Sequence, residues 1–273
     1  MNDILNHIRY GMNPVLFCKE CLDITLDAWQ EQVLTTDKSR VILLCSRQAG
    51  KSTVSAIAAL HVGLFRPNSL ILLVSPSERQ SKELLTKIKN FYDMLPGLPA
   101  LEENNKLSME LYNGSRIVAL PGTHATIRGY SGPQLIIEDE SAQCPDSLFS
   151  GITPMLATSQ GQLMLLSTAY GRTGHFFEIF TGDDQTWERI KIPADQCPRI
   201  SKEFLEEQKL ILTDWEFRTE FCCEWGNEHD SIFSYETIMN AMSSDIEPLF
   251  QQTPIPGRLP GLSQVPALFQ GGT

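Results

Sequence analysis

No run of eighteen apolar residues occurs anywhere in the 273-residue chain, so a transmembrane helix is not expected. The opening, MNDILNHIRYGMN, lacks a basic segment followed by an apolar one, so no secretory signal is expected either. Basic residues are scarce: 22 Lys and Arg stand against 33 Asp and Glu, a formal net charge of −11. A protein that wraps nucleic acid by bulk charge is usually basic. Any contact with DNA or RNA must therefore be local, transient or shared among subunits. Cysteines are few, odd in number and scattered, seven in all. They read as reduced thiols, not a disulfide framework. Aromatic residues make up 8% of the chain, and Trp29, Trp187, Trp215 and Trp225 do not interleave with basic residues as a stacking platform would. No internal repeat is present. What is there is a 42% hydrophobic composition, enough for a sizeable core in one large domain or two small ones. These features together fit a soluble, cytoplasmic protein.

Short apolar runs alternate with amphipathic stretches. Val41–Cys45, Leu70–Val74, Leu135–Ile137 and Leu163–Leu166 fit strands buried on both faces. Ser115–Leu120 adds a fifth strand after the turn Asn113-Gly114. Helical patterns cover Lys51–Phe65, Glu78–Met94 and Asp146–Thr158. Further helices are expected over Ser201–Leu212, with Ser201 as N-cap, and from Asp214 to about Cys223. Strands separated by helices predict an α/β fold with a largely parallel sheet and helices on both faces. After about residue 228 the character changes, and little periodicity survives over residues 248–273. Residues 248–273 carry five prolines and four glycines, and 231–273 is read as a poorly ordered tail or linker.

The strongest motif is Ser46-Arg-Gln-Ala-Gly-Lys-Ser-Thr53, between a strand and a helix. That context suits a phosphate-binding loop, in which backbone N–H groups and a helix N-terminus cradle phosphates. Lys51 would reach the β and γ phosphates, and the Ser52 hydroxyl would hold magnesium. The pattern departs from G-x-x-x-x-G-K-[ST] at its first position, which is Cys45. The lost glycine alters the turn out of the strand without removing a phosphate ligand.

Leu135-Ile-Ile-Glu-Asp-Glu140 is an apolar strand ending in carboxylates. Nucleotide hydrolysis needs one carboxylate for magnesium and another for the attacking water. Two registers are open. In the first, Asp139 serves the metal and Glu140 is the base. In the other, Glu138 serves the metal and Asp139 is the base. The strand ending Ser167-Thr-Ala169 could sense the γ-phosphate through its hydroxyls.

In this order the motifs resemble the ATPase domain of the large terminase subunit of tailed bacteriophages, over roughly residues 20 to 235. Asp27-Ala-Trp-Gln30 is similar to that family's adenine-recognition segment. The resemblance implies that Trp29 and Gln30 meet the base and that Ser46, Arg47, Gln48, Ala49, Gly50, Lys51, Ser52 and Thr53 bind the nucleotide. That family often lacks the first glycine and carries Arg-Gln in the loop, as Arg47-Gln48 do here. Leu120-Pro-Gly122, Ile127-Arg-Gly-Tyr-Ser131, Phe217-Arg-Thr-Glu-Phe221 and Ile232-Phe233 are similar to other segments of the domain. Ser167, Thr168 and Ala169 match its coupling motif.

The resemblance implies a P-loop NTPase of the RecA-like class with an additional central strand. It implies ATP and Mg2+ as cofactors, and Glu140, Arg47 and Lys51 as catalytic residues. Arg47 would act as an arginine finger in cis, or else pair with an acidic neighbour; Arg128 is a second candidate, acting on a neighbouring subunit. Double-stranded DNA, a portal ring, a small terminase subunit and further copies of the chain are the implied partners. The family's nuclease domain is missing after residue 230, so no nuclease activity is expected. Two rival readings are a helicase-like motor and an inactive nucleotide-binding remnant or adaptor.

Smaller features give less. Cys18-Lys-Glu-Cys21 is half of a zinc spacing without its other half. His61, His124, His175 and His229 are isolated, with His175 read as a helix cap or surface residue that could lie near the nucleotide. Lys82, Lys87 and Lys89 read as an ordinary solvated face, with DNA phosphates as the alternative.

Overall fold

The computed structural model describes residues 2–121 and 129–226. Gly122, His124, Ile127 and Arg128, and everything from 227 onward including the tail, lie outside the described residues.

Eight strands form one sheet: β1 (Arg40–Cys45), β2 (Leu70–Ser75), β3 (Glu103–Asn104), β4 (Ser108–Glu110), β5 (Arg116–Pro121), β6 (Leu135–Asp139), β7 (Gln162–Ser167) and β8 (Trp187–Ile192). Their order is β3-β4-β5-β2-β6-β7-β1-β8. From β5 to β8 all pairings are parallel, and β4 and β3 extend the sheet antiparallel. β7 stands between the loop-bearing β1 and the acidic β6, so it is the additional central strand.

Nine α-helices are described: α1 (Asn2–Met12), α2 (Pro14–Cys21), α3 (Ala28–Thr35), α4 (Lys51–Phe65), α5 (Glu78–Asp93), α6 (Asp146–Ile152), α7 (Gly174–Thr181), α8 (Lys202–Ile211) and α9 (Asp214–Phe221). The central strands are apolar on both faces because both faces are covered. Val41, Leu43, Ile71, Leu73, Ile137 and Leu166 pack with Phe17, Val54, Ile57, Leu84 and Ile88 of α2, α4 and α5. The alternating residues Ile42, Leu44, Leu72, Ile136, Leu163 and Leu165 pack with Leu148, Ile152 and Phe176 of α6 and α7. This alternation decides which side of the sheet each residue at a strand end serves.

Local chemistry sets the helix ends. Ser201 caps α8 by accepting from the Phe204 N–H, and Thr213 and Glu216 close a capping box on α9. The expected helix Asp146–Thr158 is shorter than its pattern. It ends at Ile152, and Thr153–Leu156 continues as a 3-10 turn. Pro154 is the cause, since it has no N–H for an α-helical bond in that turn.

Candidate functional site

The loop after β1 is held from outside. Ser46 N–H donates to Ile192 O at the end of β8 (2.8 Å), and Arg47 N–H donates to Glu220 O in α9 (2.9 Å). Cys45 is fully buried and still in strand conformation, paired with Ile192. The expectation that losing a glycine there alters the turn is therefore corrected. The left-handed turn residue is Gln48 (φ 61°), and position 45 has no need of glycine. Burial pushes the Cys45 thiol far up, with nearby Lys51 acting the other way. Gly50, at φ 102°, caps α4. A Cβ there would stand 2.7 Å from Arg199 Nη2 and 2.9 Å from Gln30 Nε2. The Thr53 and Val54 N–H groups both donate to the Gly50 carbonyl (3.0 and 3.3 Å), and the N–H groups of Lys51 and Ser52 at the helix start are the ones suited to an anion in the loop.

Lys51 opens α4 and is 9% exposed. Its Nζ lies 2.6 Å from Glu140 Oε1, which joins the loop to the end of β6. Glu140 itself is left-handed (φ 52°) and donates its N–H to Asp139 Oδ1 (3.1 Å). Asp139 is buried; burial raises its carboxyl above the ordinary range, Lys51 lowers it, and Glu140 adds to the rise. Ser167 Oγ at the end of β7 approaches Glu140 Oε2 at 3.5 Å. Thr168 and Ala169 follow, both buried. A cavity of about 450 Å³ is lined by Ser52, Asp139, Glu140 and one face of α5. A serine hydroxyl and a carboxylate in one cleft are hard oxygen donors of the kind magnesium takes together with phosphates. Among the described residues no group of three or more His, Cys, Asp or Glu could hold a metal.

Of the two registers open for the acidic strand, the one with Glu138 on the metal is corrected. Glu138 shares the face of Ile136, away from α4, and is 0% exposed. Its Oε2 accepts from Ser141 Oγ (2.5 Å) and lies 2.9 Å from His175 Nε2. His175 Nδ1 lies 3.0 Å from Asp146 Oδ1, and its ring stacks on Phe149 at 4.6 Å. Burial pushes the imidazole down, but hydrogen bonds and charge from Glu138 and Asp146 raise it overall. His175 is thus a buried tie between β6, α6 and α7, neither a surface residue nor isolated.

The remaining site candidates sit around the loop. Gln30 is 1% exposed; its Oε1 accepts from Asp27 N–H, while Nε2 is buried without a partner beside Gly50. Trp29 is half-buried against the core, and its Nε1 is likewise buried without a partner. The Arg47 guanidinium is largely exposed and pairs with Glu220 Oε2 at 2.6 Å. Thr53 Oγ1 accepts from Lys87 Nζ (2.8 Å), so Lys87 is not part of a solvated face.

Arg199 carries no motif signal, and Glu220 lies inside Phe217-Arg-Thr-Glu-Phe221 with nothing in that segment to mark it as a partner of the loop. Arg199 bonds Asp27 Oδ2 (2.8 Å) and the carbonyl of Ala49. Both residues reach the loop only through tertiary folding, and a charged residue in a loop or helix of this kind has no spacing by which to find it.

Comparison with known proteins agrees with this geometry. The terminase large subunit of Thermus virus P23-45 is 25% identical over 236 residues, covering 73% of this chain and 48% of its own. The chain thus spans about half the length of the curated relatives it matches. The fold is similar to that of the large terminase ATPase domain of Thermus phage P74-26, with TM-score 0.66 and 20% identity over 78% of this chain and 99% of that one. It is also similar to the large terminase of a thermophilic bacteriophage solved in complex with ADP, with TM-score 0.61 and 14% identity over 74% of this chain and 54% of that one. The family model "Terminase large subunit, T4likevirus-type, N-terminal" matches residues 42–239. With a loop, an acidic strand and an interposed strand arranged as described, and a family match over well more than half its length, the chain belongs to the family described as terminase large subunit, T4likevirus-type, N-terminal.

Proposed function

We propose that the chain binds ATP with magnesium and hydrolyses it, and that the hydrolysis drives double-stranded DNA during phage genome packaging. The observation that carries this reading is the Lys51–Glu140 pair at 2.6 Å, with Asp139 next in sequence and Ser167 against the same carboxylate. Ser52 and Asp139 are the residues to hold magnesium, which when bound offsets charge on the phosphates. The thermophilic phage terminase solved with ADP supports a nucleotide as the ligand.

In this reading Lys51 and Glu140 hold each other until phosphates arrive. The phosphate oxygens then compete for the ammonium. Glu140, released from Lys51, accepts a proton from the attacking water. Ser167 touches the same carboxylate, so the end of β7 responds to whether Glu140 is engaged. Thr168 and Ala169 continue that segment toward α7. Arg47 acts on developing phosphate charge after leaving Glu220, as an always-charged bidentate donor can. Trp29, Gln30 and Gln48 complete the nucleotide end. DNA, a portal ring, a small subunit and further copies of the chain are the proposed partners.

The test is ATP turnover with magnesium, with and without linear duplex DNA, for the wild type, Lys51→Ala and Glu140→Gln. Turnover abolished by both substitutions is the expected result. Turnover that survives Glu140→Gln would remove Glu140 from its role, and nucleotide binding without any turnover would favour an adaptor.

A further inference from the structure

The three lysines of α5 do not share one environment. Lys89 reaches the Asn105 carbonyl. Lys87 points the other way, and its Nζ donates to Thr53 Oγ1 in the first turn of α4 at 2.8 Å. The residue is half-buried, and among the described residues no carboxylate pairs with it. Glu83 lies one turn earlier on the same helix, at the spacing that ordinarily favours an ion pair, yet Lys87 turns to a neutral hydroxyl beside the phosphate loop. Burial and the charge of Arg199 both lower its pKa. A partly desolvated cation without a counter-anion is costly. The cavity it lines is shared with Arg79 and Glu83 of the same helix and with Ser52, Asp139 and Glu140. Ser52, Asp139 and Glu140 are the candidate metal and water-activating groups, so the Lys87 ammonium, held beside the phosphate loop by Thr53, shares one cavity with the residues proposed to meet the reacting end of the nucleotide.

We propose that Lys87 is a second phosphate-binding lysine, which leaves Thr53 to contact the terminal phosphate and so distinguishes a nucleoside triphosphate from a diphosphate. This rests on the nucleotide reading above and adds to it a residue outside the loop motif. It also links α5, and hence β2, to the number of phosphates bound.

The experiment measures equilibrium binding of ATP-γ-S and of ADP, with magnesium, to the full chain. Lys87→Met should weaken ATP-γ-S about tenfold, the loss of one charge-assisted hydrogen bond, and change ADP by less than about twofold. Lys87→Arg should keep ATP-γ-S within about threefold, and Lys82→Met should alter neither. If Lys87→Met does not fold by thermal melt, Lys87→Gln carries the same test, because it retains a donor toward Thr53 without charge. Equal losses for both nucleotides would overturn the proposal, since Lys87 would then act only by holding the loop. No loss for either would overturn it as well. A wild type that binds neither nucleotide removes the phosphate-site reading itself; a wild type that binds both, with Lys87→Met unchanged, removes this inference alone.

Discussion

Replacing His175 with alanine strands Glu138, and the cost can be worked from the geometry. The Glu138 side chain is 0% exposed and His175 6%, with 2.9 Å between Nε2 and Oε2. Removing one partner of a buried pair costs about 3–5 kcal/mol, because the other charge is left uncompensated. The second carboxylate, Asp146, is 68% exposed at its side chain, so water screens it and it adds less than about 1 kcal/mol. A domain of this size loses about 2–4 °C per kcal/mol, so the melting point should fall by roughly 6–20 °C. The effect depends on pH in a definite direction. His175 has a folded pKa raised above its ordinary 6.5. Its stabilisation is therefore fully present below about pH 6.5 and declines as pH rises through the raised value. Urea unfolding of the wild type and His175→Ala near pH 6 and near pH 9 should show the larger difference at the lower pH. Equal differences at the two pH values would refute the argument and leave hydrogen bonding by a neutral imidazole and packing against Phe149 to explain the loss.

Three other outcomes follow from the same site. Glu220→Ala removes an exposed pair worth at most about 1 kcal/mol, so the melting point should stay within about 4 °C, and steady-state turnover should rise by no more than about fivefold; a fall in turnover would mean Glu220 assists Arg47. Gly50→Ala forces a side chain into left-handed backbone at a cost of about 1–2 kcal/mol, before the contact with Arg199 is counted, and calorimetric nucleotide affinity should drop by at least about tenfold. Alkylation of the native chain at mildly alkaline pH, followed by mass mapping, should label Cys21 and Cys222 ahead of Cys18, Cys45, Cys144, Cys197 and Cys223, because the first two are only half-buried; early labelling of Cys45 would contradict its burial in β1.

The sequence was readable where physics is local. Strands buried on both faces show as unbroken apolar runs, so β1, β2, β6 and β7 were legible, and Gly-Lys-Ser-Thr at a helix start gave the loop. β8 was not, because Glu188, Arg189 and Lys191 interrupt it; it is an edge strand paired with β1 alone and needs no continuous apolar run. The helices α1 to α3 pack as short, partly exposed pieces, and their periodicity is too brief to register. Glu138 was visible as a carboxylate too many, but its pairing with His175, 37 positions away, exists only once β6 and α7 are side by side. Lys87 was visible as one of three lysines; which of them turns inward depends on where α4 lies.

The position of β1 in the sheet has a consequence for how the chain is made. β1 is flanked by β7 and β8, and Val41 pairs with Met164 and Glu188, which are synthesised about 120 and 150 residues later. At about 5–20 residues per second, this apolar strand leaves the ribosome roughly 6–30 s before its neighbours exist. Until then its hydrogen-bonding edges are open, and a strand in that condition is an aggregation hazard. Nor can a nucleotide protect it, since the loop has no anchor at Ile192 or Glu220 before those residues are made. Expression yield should therefore depend on elongation rate and on holdase chaperones, while the proposed nucleotide could stabilise only the finished fold.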